Sequence, residues 1–324
     1  MGQAIALPFV ENPLPGTVEF HLKAFDEARV LHPMVERAYE QIEHYLPRYR
    51  KRAEHITHVV LHGPTGTGKT EVGLALHERF MKGTETTPGR VPAIRFKSPI
   101  PFTWKAFTIR ALQNLNVPAP TEAVAIRQEE DGTYLLDRNT EFALAQRLVT
   151  MIKQAQTSVC IVDEFGHMNF ANRSTIANIE HLKSSADDFQ VMMILIGLPD
   201  VRRLINLNSQ TIRRFRPIPL ERYKVPTKKG DPDDRRDFAK LVVSLEKKLP
   251  LPGKSALHEH CGILYKHSFG LIGPLKHLLA TCLEHALVKG KDTITPQMIE
   301  EFRMPDDQMK ALQAQVLTEE AQLL

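Results

Sequence analysis

The chain has 324 residues, with 42 Lys and Arg against 38 Asp and Glu for a formal net charge of +4, and at 42% hydrophobic and 25% charged it is neither disordered nor fibrous. A chain of this length buries roughly three quarters of its unfolded surface, and three cysteines, Cys160, Cys261 and Cys282, with no C-x-x-C pair argue against a disulfide framework or a zinc ribbon. The longest uncharged apolar run, 191–199, falls far short of the ~20 residues of a membrane span and no basic-then-apolar leader opens the chain, so a cytoplasmic protein with no membrane partner is expected.

Residues 1–30 carry Pro8, Pro13, Pro15 and Gly16 without periodicity and read as an extended arm. A helix is predicted over 34–52, where Val35, Ala38, Ile42 and Leu46 share one stripe. From there short apolar runs at 57–61, 91–96, 158–162 and 191–196 alternate with helical patterns near 70–80, 104–115, 141–155 and 174–184, and a fifth strand is expected at 216–220. Apolar runs without strict alternation, separated by helices, indicate a parallel sheet buried on both faces. The polar stretch 224–237, broken by Pro226, Gly230 and Pro232, reads as a linker. Beyond it only helices are predicted, at about 234–248, 255–267, 272–288 and 296–302, the last opened by Thr295-Pro296 in N-cap order. The expected fold class is α/β: a core with a parallel five-stranded sheet over 31–223, then a small all-helical lid over 238–303. Residues 304–324 read as a final helix or tail.

Gly63-Pro64-Thr65-Gly66-Thr67-Gly68-Lys69-Thr70 matches G-x-x-x-x-G-K-[ST] at every fixed position, after a predicted strand and at the start of a predicted helix. Glycines let backbone N–H groups turn inward around phosphates, and a helix N-terminus adds partial positive charge. Lys69 would meet the outer phosphates of ATP, and the Thr70 hydroxyl would ligate Mg²⁺. The third strand runs into Asp163 and Glu164 at the carboxyl edge of the sheet, where ligands of open α/β folds bind. Asp163 would hold the Mg²⁺ through its water shell. Glu164 would polarise the attacking water, a general-base role typically worth ~10²–10⁴ in rate. The turn Gln210-Thr211-Ile212-Arg213-Arg214-Phe215-Arg216-Pro217 offers Arg214, and after it Arg216, as a finger for the γ-phosphate of a neighbouring subunit, although a basic surface turn has the same composition.

These motifs, with a strand ending Gly197-Leu198-Pro199-Asp200 and a lid segment Phe269-Gly270-Leu271-Ile272-Gly273-Pro274-Leu275, resemble the AAA+ regulators of DNA transposition of the TniB/TnsC family, from about His32 to Phe302. The resemblance implies an ATPase that assembles as rings or helical filaments on duplex DNA, receives a target-selection protein (TniQ-like), recruits the transposase and is released by hydrolysis. It carries over to Lys69, Thr70, Asp163, Glu164 and Arg214. Two positions depart from the family: Leu198 stands where a polar first sensor is usual, leaving Asp200 or Asn206, and Gly273 or Pro274 stands at the lid arginine, leaving Lys276. Slow, oligomer-dependent hydrolysis is the expectation.

From Arg90 to Arg110 there are five basic residues and no acidic one, and from Val201 to Pro250 14 basic against 6 acidic. Such patches bind phosphate backbones without reading sequence. In the family, loops after the second strand track DNA, which makes Lys97 and Lys105 the candidate DNA contacts; solvated basic surface is the competing reading. His258, His260, Cys261 and His267 have poor spacing for zinc. The alternative function is a helicase loader or replication-initiation ATPase acting as a nucleotide-gated binding module. The sequence shows no helix-turn-helix or winged domain after the lid.

Overall fold

A strand whose residues are apolar on both faces has no solvent side, so it must be covered by helices above and below. The computed structural model describes residues 14, 16–46, 56–84, 87–116, 126–128, 134–136, 141–166, 185, 188–202 and 209–321. It contains a five-stranded sheet of β1 (His58–His62), β2 (Ala93–Lys97), β5 (Val159–Asp163), β6 (Met192–Gly197) and β7 (Phe215–Pro219), in the order β2-β5-β6-β1-β7 and parallel throughout. Each strand lies within one or two residues of its predicted span.

Alternate residues of the strands feed two separate cores. On one face Val60, Ile94, Cys160, Val162, Met193 and Leu195 meet Phe107 and Leu112 of α4 (Trp104–Asn114) and Leu144 and Leu148 of α5 (Glu141–Gln154). On the other, Val59, Leu61, Val159, Ile161, Ile194 and Ile196 meet Val35 and Ile42 of α2 (Pro33–His44) and Val72 and Leu76 of α3 (Lys69–Met81). The three central strands, β5, β6 and β1, are buried on both faces, which is why their runs show no polar alternation, whereas the edge strand β7 exposes Arg216, Pro217 and Pro219. On α3, a Cβ at Gly73 would stand 2.6 Å from Ile196 Cδ1, so the glycine lets this helix lie close to the sheet.

An antiparallel pair, β3 (Ile126–Gln128) with β4 (Tyr134–Leu136), lies between α4 and α5 and was not predicted; three-residue strands are too short to leave a periodic signal. The helix predicted at 174–184, the end of the one predicted over 34–52, and Asn206 lie outside the described residues.

The chain divides into two compact units, one of residues Met1–Pro33 with Arg222–Ala314, the other of Met34–Glu221 with Gln315–Leu324. The expectation for the N-terminal arm is corrected. Val18–Glu27, expected as part of an extended arm, is a helix (α1), because Thr17 caps it by accepting the Phe20 N–H and Phe25 is buried as α1 packs on α9 (Ile272–Val288). The helical unit contains α7 (Arg235–Glu246), a 3₁₀ turn Leu257–His260, α8 (Cys261–Ser268), α9 and α10 (Pro296–Glu301), the last capped by Thr295 ahead of Pro296. The final helix, α11 (Asp306–Ala321), begins in the helical unit, and from Gln315 it belongs to the sheet unit. Among the described residues no helix is long and apolar enough to cross a membrane.

Candidate nucleotide site

The loop after β1 is built around its glycines. A Cβ at Gly63 would fall 2.0 Å from the Leu220 carbonyl oxygen, because the chain leaving β7 passes directly over it, and the Leu220 N–H donates to His62 O at 2.8 Å. Gly66 and Gly68 take φ of +75° and +88°, a left-handed region open chiefly to glycine. Thr67 Oγ1 donates to Pro64 O at 2.9 Å and ties the loop across its width. Gly68 then opens α3 with no side-chain cap, so the first-turn amides of that helix keep their capacity for an anion.

Lys69 Nζ donates to Gly63 O at 2.8 Å and to Pro64 O at 2.6 Å. Two of its three N–H groups therefore hold the loop, and the third is left for a phosphate oxygen. Burial pushes the Lys69 ammonium down to about 8, while the carboxylates of Glu319 and then Asp163 act to keep its proton. Next to the loop, burial and the charges of Arg202 and Lys69 push His62 down to about 4, which keeps it neutral at pH 7.

β5 lies beside β2 and not beside β1, yet its carboxyl end delivers Asp163 to the loop. Asp163 is 2% exposed. Its Oδ1 lies 3.5 Å from Thr70 Oγ1 and accepts the Glu164 N–H at 2.9 Å; its Oδ2 accepts Arg95 Nη2 at 2.9 Å. Glu164 itself takes φ of +54°, an uncommon conformation for a non-glycine residue, and this turns the chain sharply at the strand end. Glu164 Oε1 accepts Lys97 Nζ at 2.6 Å. A hydroxyl and a carboxylate side by side are hard oxygen donors, and among the described residues no group of three or more His, Cys, Asp or Glu forms a metal cage. That donor set suits a magnesium ion, which keeps several waters and takes substrate phosphates as ligands.

The structure thus brings Lys69, Thr70, Asp163 and Glu164 to one sheet edge. Lys97, read from the sequence as a DNA contact, is paired with Glu164, whereas Lys105 lies exposed in the first turn of α4. The expected basic turn is split: Arg213 and Arg214 end α6 (Ser209–Arg214), and Arg216 lies exposed in β7. Arg216 pairs in register with Val59, three residues before His62 and so roughly 10 Å from the carboxyl edge. Neither Arg214 nor Arg216 is thus at its own loop. Leu198 is 40% exposed at the end of β6. Lys276, the substitute considered for a lid arginine, is committed elsewhere: it donates to Asp26 O at 2.5 Å and Ala28 O at 3.1 Å, carbonyls at the end of α1. In the same unit, the lid glycine Gly270 has φ of +72° and would meet Tyr223 O at 2.2 Å if it carried a Cβ.

Arg95 and Glu319 were missed. Their signals were weak: Arg95 is an i, i+2 neighbour of Lys97 on β2, and Glu319 lies more than two hundred residues from the loop it touches.

Among solved structures, the chain is similar to Cdc6p from Pyrobaculum aerophilum (16% identity, TM-score 0.56, 86% of this chain and 69% of that one), to the Aeropyrum pernix ORC2 protein in its ADPNP–ADP complexes (14%, 0.60, 89% and 74%), and to the Aeropyrum pernix ORC1 protein in complex with DNA (14%, 0.58, 87% and 68%). At such identity the likeness is one of fold alone. No curated protein matches the sequence. The model of the bacterial TniB protein matches residues 23–225, a span that includes the phosphate loop, both strand-end carboxylates and the arginines before and within β7, and the chain therefore belongs to the TniB family.

Proposed function

We propose that this protein is an ATPase that assembles on duplex DNA in an ATP-dependent way, as a ring or helical filament, links a TniQ-like target-selection protein to a transposase, and is released by hydrolysis. The observation that carries the ATPase part is the convergence of Lys69, Thr70, Asp163 and Glu164 at the carboxyl edge of the sheet. The loop amides and Lys69 bind the triphosphate. Thr70 and Asp163 would hold Mg²⁺, which supplies positive charge to the phosphate oxygens. Glu164 accepts the proton of the attacking water once Lys97 releases its carboxylate, and Arg214, remote from its own loop, serves the site of a neighbouring subunit.

The transposition part rests on membership of the TniB family, and the DNA part on that membership together with the basic stretches around Lys97 and Lys105. The ORC1 neighbour is in complex with DNA. A helicase-loader or replication-initiator reading shares the same core, and its likeness to Cdc6p and the ORC proteins is one of fold alone.

Electron microscopy of the protein with duplex DNA and an ATP analogue, ADP or no nucleotide tests the proposal. Rings or filaments on DNA that need the ATP analogue are expected, and Lys69→Ala should abolish them. ATP binding with no assembly on duplex in any state would move the assignment to the loader.

A further inference from the structure

The end of α11 touches the phosphate loop. Glu319 Oε2 accepts the backbone N–H of Thr65 at 2.7 Å, and Glu319 Oε1 accepts Gln315 Nε2 from one turn earlier at 2.8 Å. Glu319 is 8% exposed and Val316, one turn earlier, is fully buried, and both lie in the part of α11 that belongs to the sheet unit.

A carboxylate is an unfavourable choice at that place in a helix. The last turn already carries the negative end of the backbone dipole, and here it holds Glu319 and Glu320 and no basic residue of its own. A buried carboxylate must also be matched by donors or by positive charge. What matches it is the loop itself: the Thr65 N–H directly, and the Lys69 ammonium nearby, whose proton Glu319 helps to hold more than Asp163 does. The loop that is shaped for an anion already has one from its own chain.

We propose that the end of α11 is autoinhibitory: Glu319 is an internal anion held at the phosphate loop, and a nucleoside triphosphate must displace it. The inference rests on the reading that this loop binds ATP. A triphosphate on Lys69 and the loop amides places several negative charges beside a buried carboxylate, and like charges in a poorly screened site repel strongly. Nucleotide binding and docking of α11 are therefore antagonistic, and each weakens the other by the same factor.

The test is titration of the full chain with mant-ATP at pH 7, comparing wild type, Glu319→Ala, Glu319→Gln and Lys69→Ala. Glu319→Ala should bind about tenfold tighter than wild type, equivalent to about 1.4 kcal/mol. Glu319→Gln, which keeps an oxygen for the Thr65 N–H but has no charge, should also tighten binding. Unchanged or weaker binding in both Glu319 variants, with mant-ATP still bound by wild type and lost in Lys69→Ala, overturns the autoinhibition and leaves the nucleotide site intact. No binding by any variant overturns the nucleotide reading and the inference with it. Hydrogen exchange on the wild-type protein is the second measurement. Amides of residues 316–321 should exchange faster with saturating AMP-PNP, and unchanged or slower exchange there rejects the proposal even if a variant fails to fold.

Discussion

Lys97 Nζ stands 2.6 Å from Glu164 Oε1 at the carboxyl ends of two neighbouring strands, so the cation expected to touch DNA and the carboxylate expected to activate water are partners of each other. The pair is half-exposed, so it contributes at most about 1 kcal/mol. Lys97→Ala should raise DNA-independent turnover by up to about fivefold, the rate equivalent of that energy. With Lys105→Ala it should also weaken DNA binding uniformly across sequences and flatten the salt dependence. Turnover and salt slope both at wild-type values would leave these lysines as surface charge.

Asp163 is buried and paired with Arg95, which has little exposure itself. Removing one partner of such a pair leaves an uncompensated charge, and Arg95→Ala should cost about 3 kcal/mol in chemical denaturation. Arg95→Met, similar in length but uncharged, should cost nearly as much. A loss below about 1 kcal/mol in both would show that solvent reaches Asp163 in solution, since that is the scale of an exposed pair.

The lowered pKa of Lys69 predicts two opposite trends with pH. Bound phosphates restore its proton, so ATP binding takes up a proton above pH 8 and its Kd should climb by up to about tenfold per unit there, with little change between pH 7 and 8. The unfolded lysine keeps its proton up to about 10.5 whereas the folded one loses it near 8. The unfolded state therefore binds more protons in that window, and the contribution of Lys69 to the stability of the nucleotide-free protein rises with pH across it. Lys69→Arg, whose charge does not titrate, should abolish both trends.

Glu164→Gln should keep ATP binding, lower turnover by roughly 10²–10⁴ and hold the assembly on DNA. Arg214→Ala should lower turnover by as much as ~10³–10⁵, and only under conditions where the protein assembles. An equal loss in dilute monomer would rule out a finger acting on a neighbouring subunit.

The phosphate loop, the strand-end acids and the alternation of strands and helices were legible in the chain because each is local. Gly66 and Gly68 meet the steric demand of left-handed backbone, Lys69 and Thr70 follow within one turn, and a strand buried on both faces is recognisable from its unbroken apolar run. The β3–β4 pair was too short to read, and α1 was hidden by the prolines that precede it. The residues of the candidate site could thus be read from local pattern: a glycine-rich loop with its lysine, and two carboxylates at the end of a strand. The partners of those groups were decided by tertiary structure alone. Arg95 and Lys97 reach Asp163 and Glu164 because the sheet order sets β2 beside β5, Lys276 serves α1 because α1 packs on α9, and Glu319 reaches Thr65 because α11 ends in the sheet unit. Ion pairs and buried hydrogen bonds depend on distances between segments far apart in the chain, and strand order and helix docking, which no local pattern encodes, set those distances.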